Sequence, residues 1–138
     1  MPRIFRIFIF CLAVAWAMLP LAASAAARKT EKLPPQETGF LNRSIDLHGI
    51  SYKYQVYLPQ EWRRDDHRQW PIILFLHGRG ERGSEGMWQT QIGLPQEVRD
   101  HPERWPFVIV MPQCPQGHYW TDPASQELAI ASLDRETA

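Results

Sequence analysis

Two short apolar stretches constrain the fold of this chain more than any other feature. Residues 71–76 read PIILFL and stop at His77-Gly78, and residues 107–111 read FVIVM and stop at Pro112. Each stretch is too short for a helix core and lacks the alternation of a strand with one wet face, so each predicts a strand buried on both faces. Such strands occur chiefly in parallel sheets covered by helices, which places the chain in the α/β class.

A β-hairpin is predicted before the first apolar stretch. Residues 40–47 form a plausible strand, His48-Gly49 supplies a turn, and residues 50–58 alternate between apolar and polar side chains up to Pro59. This alternation predicts a second strand with one buried face.

Helices are predicted on either side of the second apolar stretch. Before it, glycines and a proline exclude one long helix and leave short turns at residues 87–92 and 96–100. After it, Asp122-Pro123 offers an N-cap and a first-turn proline for a helix over residues 124–137. Its apolar stripe consists of Leu128, Ile130 and Leu133. The two stretches thus predict parallel strands joined by a crossover with short helices.

The N-terminus has the pattern of a secretory signal peptide. Two arginines precede an apolar run over residues 7–21, and Ala23-Ser24-Ala25 matches the small-residue cleavage pattern, so residues 1–25 are predicted to be removed. An uncleaved membrane anchor is the alternative, although the run is short for a bilayer core. Residues 26–38 are a predicted flexible lead-in and residues 39–138 the folded domain. We therefore expect an exported protein, periplasmic or secreted, that meets the membrane only transiently through its leader.

Charge and cysteine content exclude some classes of function. Of the 15 basic residues, two lie in the leader, so 13 remain against 15 acidic residues. A mildly acidic chain provides no basic surface for phosphates, so no nucleic-acid partner is expected. Outside the leader these 138 residues contain one cysteine, Cys114, which is expected to be a packed apolar side chain; pairing with a cysteine further along a longer chain is the alternative.

A glycine-rich loop follows the first apolar stretch and has two interpretations. Gly78, Gly80 and Gly83 have the spacing of a dinucleotide-binding loop after a strand. That interpretation is weak because the helix it requires is interrupted by glycines and because Glu81 would lie near the phosphates. The sequence after the second stretch, Met111-Pro112-Gln113, also lacks an acid for the ribose. No cofactor is predicted.

The second interpretation is an oxyanion-hole loop, and here residues 54–134 resemble a known family. The matching segments are YKYQVYLP, PIILFLHGRGERG, the GLP at residues 93–95, and VIVMPQCPQGHYWTDP. Together they resemble secreted esterases of the α/β-hydrolase superfamily, in the phospholipase/carboxylesterase or dienelactone-hydrolase-like branch, some of which are labelled predicted peptidases. The resemblance implies the N-terminal part of an α/β-hydrolase fold with an incomplete sheet, and a small-molecule ester as substrate.

The resemblance also implies roles for the loop residues His77, Gly78, Arg79 and Gly80. In this motif the glycine after the histidine permits a tight bend that turns an amide, here that of Arg79, toward the substrate carbonyl oxygen. His77 is expected to orient the loop by hydrogen bonding rather than to act as a base.

The nucleophile of such an enzyme is missing from these 138 residues. The family's G-x-S-x-G turn follows a fifth strand, with aspartate and histidine later, whereas Ser84 lies in RGSEG directly after the loop. Ser125 and Ser132 fall in the predicted last helix, so no catalytic residue is assigned. We expect these 138 residues alone to be inactive and either to aggregate through an open edge at residues 71–76 or to be degraded. A noncatalytic secreted binding module or a truncated pseudo-enzyme is the alternative.

The remaining candidate residues carry less information. Trp120 is a possible wall of a substrate pocket, although aromatic residues in such loops more often serve packing. Cys114 and His118 have a C-x-x-x-H spacing, but two potential ligands without a second pair do not make a metal site. No metal is predicted.

Overall fold

The structure, a computed structural model, describes residues 37–64 and 67–138. The predicted signal peptide, and the lead-in up to residue 36, lie outside the described residues. Within the described part of the chain, no helix is long and apolar enough to cross a membrane.

Four strands of the described residues form one mixed sheet. They are β1 (Gly39–Leu47), β2 (Ile50–Leu58), β3 (Ile72–Leu74) and β4 (Val108–Pro112), and their order across the sheet is β1-β2-β4-β3. β2 pairs antiparallel with both β1 and β4, whereas β3 and β4 are parallel. This mixed sheet with its helices fits the predicted partial α/β fold.

In the same part of the chain, two α-helices and three short 3₁₀ turns accompany the sheet. Helix α1 (Leu94–Asp100) lies between β3 and β4 in sequence, and helix α2 (Pro123–Thr137) follows β4. The 3₁₀ turns span Arg79–Glu81, Trp88–Thr90 and Pro102–Arg104. Asp122 stands at the N-cap of α2 as predicted, but its carboxylate accepts a hydrogen bond from the Tyr119 amide instead of capping the helix.

The hairpin turn between β1 and β2 follows from its two residues. His48 and Gly49 both have positive φ angles, 52° and 79°, as a two-residue turn that matches strand twist requires. The prediction that β2 has one buried face is wrong, because none of residues 50–53 is buried and Ile50 is 55% exposed, whereas in the second half residues 54–58 are all buried. This half of β2 lies between two neighbouring strands, and side chains pack against both of its faces.

Alternate residues of the sheet build two hydrophobic clusters. Val56, Val108 and Val110 pack with Leu133 of α2 in one cluster, and Tyr57, Ile109 and Met111 pack with Val98 of α1 in the other. The predicted stripe of α2 is partly wrong, since Ile130 is 57% exposed while Ser125, Ala129 and Ser132 are buried with Leu128.

The first apolar stretch is less buried than the sequence predicts. β3 contains three paired residues, and all three are only half-buried, whereas every residue of β4 is buried. The reason is position, because β4 has a strand on each side and β3 lies at an edge of the described sheet. A strand at an edge has solvent along one side whatever its sequence.

Candidate active site

The two loops that follow β3 and β4 meet at one end of the sheet. Because these strands are parallel, their carboxyl ends lie side by side, which is where open α/β sheets place their sites. The amide of Phe75 still bonds the Val110 carbonyl, at 2.9 Å, so the sheet holds the chain in place up to the residue before Leu76. We call residues 77–80 the oxyanion loop, after the role that the sequence predicts for them, and residues 113–120 the β4 loop.

His77 is the buried centre of this end of the sheet, with its side chain 1% exposed. Its Nε2 lies 2.9 Å from the backbone nitrogen of Cys114, and its Nδ1 lies 2.7 Å from the Gly78 carbonyl oxygen. A backbone N–H only donates, so Nε2 must be the acceptor and Nδ1 must carry the hydrogen. The ring is therefore a neutral imidazole whose two nitrogens are both occupied, which leaves neither free to act as a base.

The bond from His77 to the Gly78 carbonyl also orients the next amide. That carbonyl and the Arg79 N–H belong to one planar trans peptide group, so they point in opposite directions. By holding the carbonyl, the imidazole turns the Arg79 N–H away from itself. Arg79 also opens the 3₁₀ turn Arg79–Glu81, where amides have no acceptor within the turn. Among the described residues, no group accepts a hydrogen bond from the Arg79 N–H.

The glycines of the oxyanion loop have different roles from those expected. Gly78 has φ −77° and ψ −175°, an extended conformation that any residue adopts, so the bend itself does not require glycine. A side chain there would instead approach the Glu81 carboxylate, at 3.0 Å from its Oε2. At Gly80 an added methyl group would meet no atom within 4 Å, so the space over the loop is open.

The β4 loop holds the oxyanion loop at its start. The Trp120 indole N–H donates to the His77 carbonyl at 2.9 Å, and the two rings meet edge to face with their centroids 5.2 Å apart. Trp120, suggested by the sequence as a pocket wall, thus binds the loop backbone in the structure.

Arg82 joins the same two loops further along. Its Nε donates to the Arg79 carbonyl at 3.0 Å and its Nη1 to the His118 carbonyl at 2.8 Å. Its guanidinium also lies over the Tyr119 ring, 4.8 Å from the centroid. The side chain of Arg82 therefore serves to hold the two loops together.

Gln113 anchors the segment that follows the oxyanion loop. It is 2% exposed, its Oε1 accepts from the Gly86 amide at 2.6 Å, and its Nε2 donates to the Glu81 carbonyl at 3.1 Å and to the Glu85 carboxylate. Gly86 itself has φ +80°, and a side chain there would collide with Lys53 at 2.7 Å. Sequence reasoning missed Gln113 and Arg82, since no spacing links either residue to its distant backbone partner.

The other sequence candidates do not join this cluster. Ser84 is exposed, and Ser132 is buried in α2 with its hydroxyl on the Leu128 carbonyl. The Sγ of Cys114 lies 3.6 Å from the Ser125 hydroxyl, and exposed His118 lies 3.4 Å from Asp122. Within residues 37–64 and 67–138, no three His, Cys, Asp or Glu side chains are grouped as a metal site.

Burial gives His77 a measurable effect on stability. Burial lowers the pKa of His77 from its ordinary value of 6.5, although the Gly78 carbonyl and Glu81 act in the opposite direction. Below about pH 6.5 the unfolded chain therefore binds more protons than the folded one, and stability falls as the pH falls. We expect the free energy of unfolding to decrease from pH 7 to pH 5.5, by at most about 1.4 kcal/mol per unit.

Urea unfolding at a series of pH values measures this effect. In the His77→Gln variant the decrease should largely disappear, whereas His101→Gln, which alters a half-exposed ring, should keep it. A wild-type stability that is flat over this pH range contradicts the assignment of a buried neutral ring.

Comparison with known proteins finds a partial structural match. No family model matches the chain, and no curated protein does. Among solved structures, the chain is similar to one described as a thermostable esterase, with 26% sequence identity over 70% of this chain and a TM-score of 0.54. The fold is similar to part of an esterase. The chain spans 29% of that esterase's length.

Proposed function

We propose that residues 39–138 carry the oxyanion hole of a serine-type carboxylic ester hydrolase. The observation that supports this most directly is the Arg79 amide, which lies just beyond the carboxyl end of a parallel strand, has no acceptor among the described residues, and is oriented by the His77 imidazole. The similarity to an esterase over 70% of the chain agrees with this proposal.

In the proposed reaction, a serine hydroxyl attacks the ester carbonyl carbon and gives its proton to a general base. The C=O π pair moves onto the carbonyl oxygen, and the Arg79 N–H donates to that anion. When the tetrahedral intermediate collapses, the alcohol leaves with a proton and an acyl-enzyme remains, which water then hydrolyses. One backbone donor of this kind contributes about 3 kcal/mol to the transition state.

The serine must come from outside the described residues, and the free edge of β3 is where we place its carrier. Successive residues of a strand direct their backbone groups to opposite sides, and Pro71 and Phe75 bond β4. Ile72 and Leu74 therefore direct theirs toward the open edge. Leu76, at the end of the strand, is 43% exposed. A further parallel strand paired here would end beside the oxyanion loop, where a strand-to-helix serine turn faces the Arg79 amide.

We further propose that the enzyme acts on small-molecule esters outside the cytoplasm. The leader of residues 1–25 supports export to the periplasm or beyond, and Cys114, buried at 1% exposure, is shielded from an oxidising compartment. The motifs around residues 71–83 and 108–123 support the phospholipase/carboxylesterase or dienelactone-hydrolase-like branch.

A fluorophosphonate probe tests the proposal, because it reacts only with an activated serine. We expect labelling of the whole translation product that contains these residues, or of a complex in which a second polypeptide supplies the serine turn. A polypeptide of residues 26–138 alone should remain unlabelled. Labelling of this short polypeptide, or no labelling of either sample, contradicts the proposal.

A further inference from the structure

We infer that Trp120 is a positioning residue that keeps the Arg79 amide aimed at the substrate oxygen by holding the backbone of His77. The inference rests on the proposed function for its catalytic meaning. The structural observation behind it is the contact between the β4 loop and the oxyanion loop.

Two consecutive peptide groups of the oxyanion loop are held by ring N–H donors. Trp120 donates to the carbonyl of His77, and His77 in turn donates to the carbonyl of Gly78. The second of these peptide groups contains the Arg79 N–H. The direction of the proposed oxyanion donor is thus set by His77, whose own backbone is held by Trp120.

The hydrogen bonds of the His77 imidazole still allow the backbone of residues 77–80 to move, and Trp120 restricts that movement. Its Nε2 is held by the Cys114 amide, but the bond from Nδ1 to the adjacent residue is local and moves with the backbone. Trp120 supplies a contact between residues 43 positions apart, and it adds the edge-to-face ring contact to the hydrogen bond. Removal of the indole N–H should therefore loosen residues 77–80 without removing any group that touches the substrate.

The variant Trp120→Phe tests this because phenylalanine keeps an aromatic ring and removes the donor. The chain offers a matched control in Trp105→Phe, since the buried indole N–H of Trp105 has no acceptor among the described residues. Both variants reduce ring size in the same way, and only one of them removes a hydrogen bond to the oxyanion loop.

The two variants are compared in the whole translation product by hydrolysis of a p-nitrophenyl ester and by amide hydrogen exchange. We expect Trp120→Phe to lower kcat about tenfold with KM within twofold, because a small misplacement of a catalytic donor is costly. Exchange in residues 77–80 should accelerate about fivefold, as the loss of one neutral hydrogen bond predicts. Trp105→Phe should alter neither quantity.

The outcomes separate this inference from the proposed function. Equal effects of the two variants, or wild-type kcat and exchange in Trp120→Phe, overturn the positioning role. If the wild-type protein hydrolyses no ester, the proposed function fails, and exchange in residues 77–80 still decides whether Trp120 holds the loop. A rise in the KM of Trp120→Phe with an unchanged kcat also overturns the inference, because it would place Trp120 in substrate binding.

Discussion

Replacing Arg79 by proline should lower kcat for ester hydrolysis by about 100- to 1,000-fold while the protein remains folded. Proline has no N–H, so the substitution removes the proposed oxyanion donor and leaves the Arg79 carbonyl in place for Arg82. The local backbone accepts proline, because residue 79 is the first of a 3₁₀ turn and Gly78 before it is extended. Steady-state kinetics on the whole translation product, with circular dichroism to verify folding, provide the measurement.

Arg79→Ala is the control for this experiment. Alanine keeps the N–H and removes the exposed guanidinium, so kcat should stay within about threefold of the wild-type value if the backbone is the donor. A loss in Arg79→Ala as large as in the proline variant assigns the effect to the side chain and contradicts the oxyanion role. Full activity of a folded Arg79→Pro protein contradicts it equally.

Replacing Gln113 by leucine should reduce the free energy of unfolding by about 3 kcal/mol. Leucine has a similar volume, so the packing changes little, but the buried Gly86 amide and the Glu81 carbonyl both lose their partner. A buried polar group left without a partner costs about 1–3 kcal/mol. Urea unfolding of the whole translation product measures the difference.

A second buried glutamine provides the matched control. Gln89 is fully buried, but its Oε1 has no partner among the described residues. Its Nε2 donates a long hydrogen bond, of 3.4 Å, to the Met111 carbonyl. Removing so weak a bond leaves little unsatisfied, so Gln89→Leu should change the free energy of unfolding by less than about 1 kcal/mol. If the two variants lose similar stability, glutamine burial rather than the Gln113 network is responsible, and the prediction fails.

The sequence by itself was sufficient for the local elements of this protein. The strand at residues 50–58, the His48-Gly49 turn, the unbroken apolar residues of β4 and the Asp122-Pro123 helix start are all decided within a few positions of the chain. For the same reason the loop at His77 was identifiable as a candidate site. Its glycines and its place after a strand are local features.

Only the tertiary structure decided which of these features meet. The sequence pattern is the same for an edge strand and a central one, so it could not distinguish the half-buried β3 from β4. It also could not show that Trp120 binds the backbone of the oxyanion loop and that Gln113 binds the backbone just after it, since both partners lie more than 25 residues away. A hydrogen bond to a backbone carbonyl requires no particular residue at the acceptor position, so it leaves no trace in the sequence of the loop that it holds.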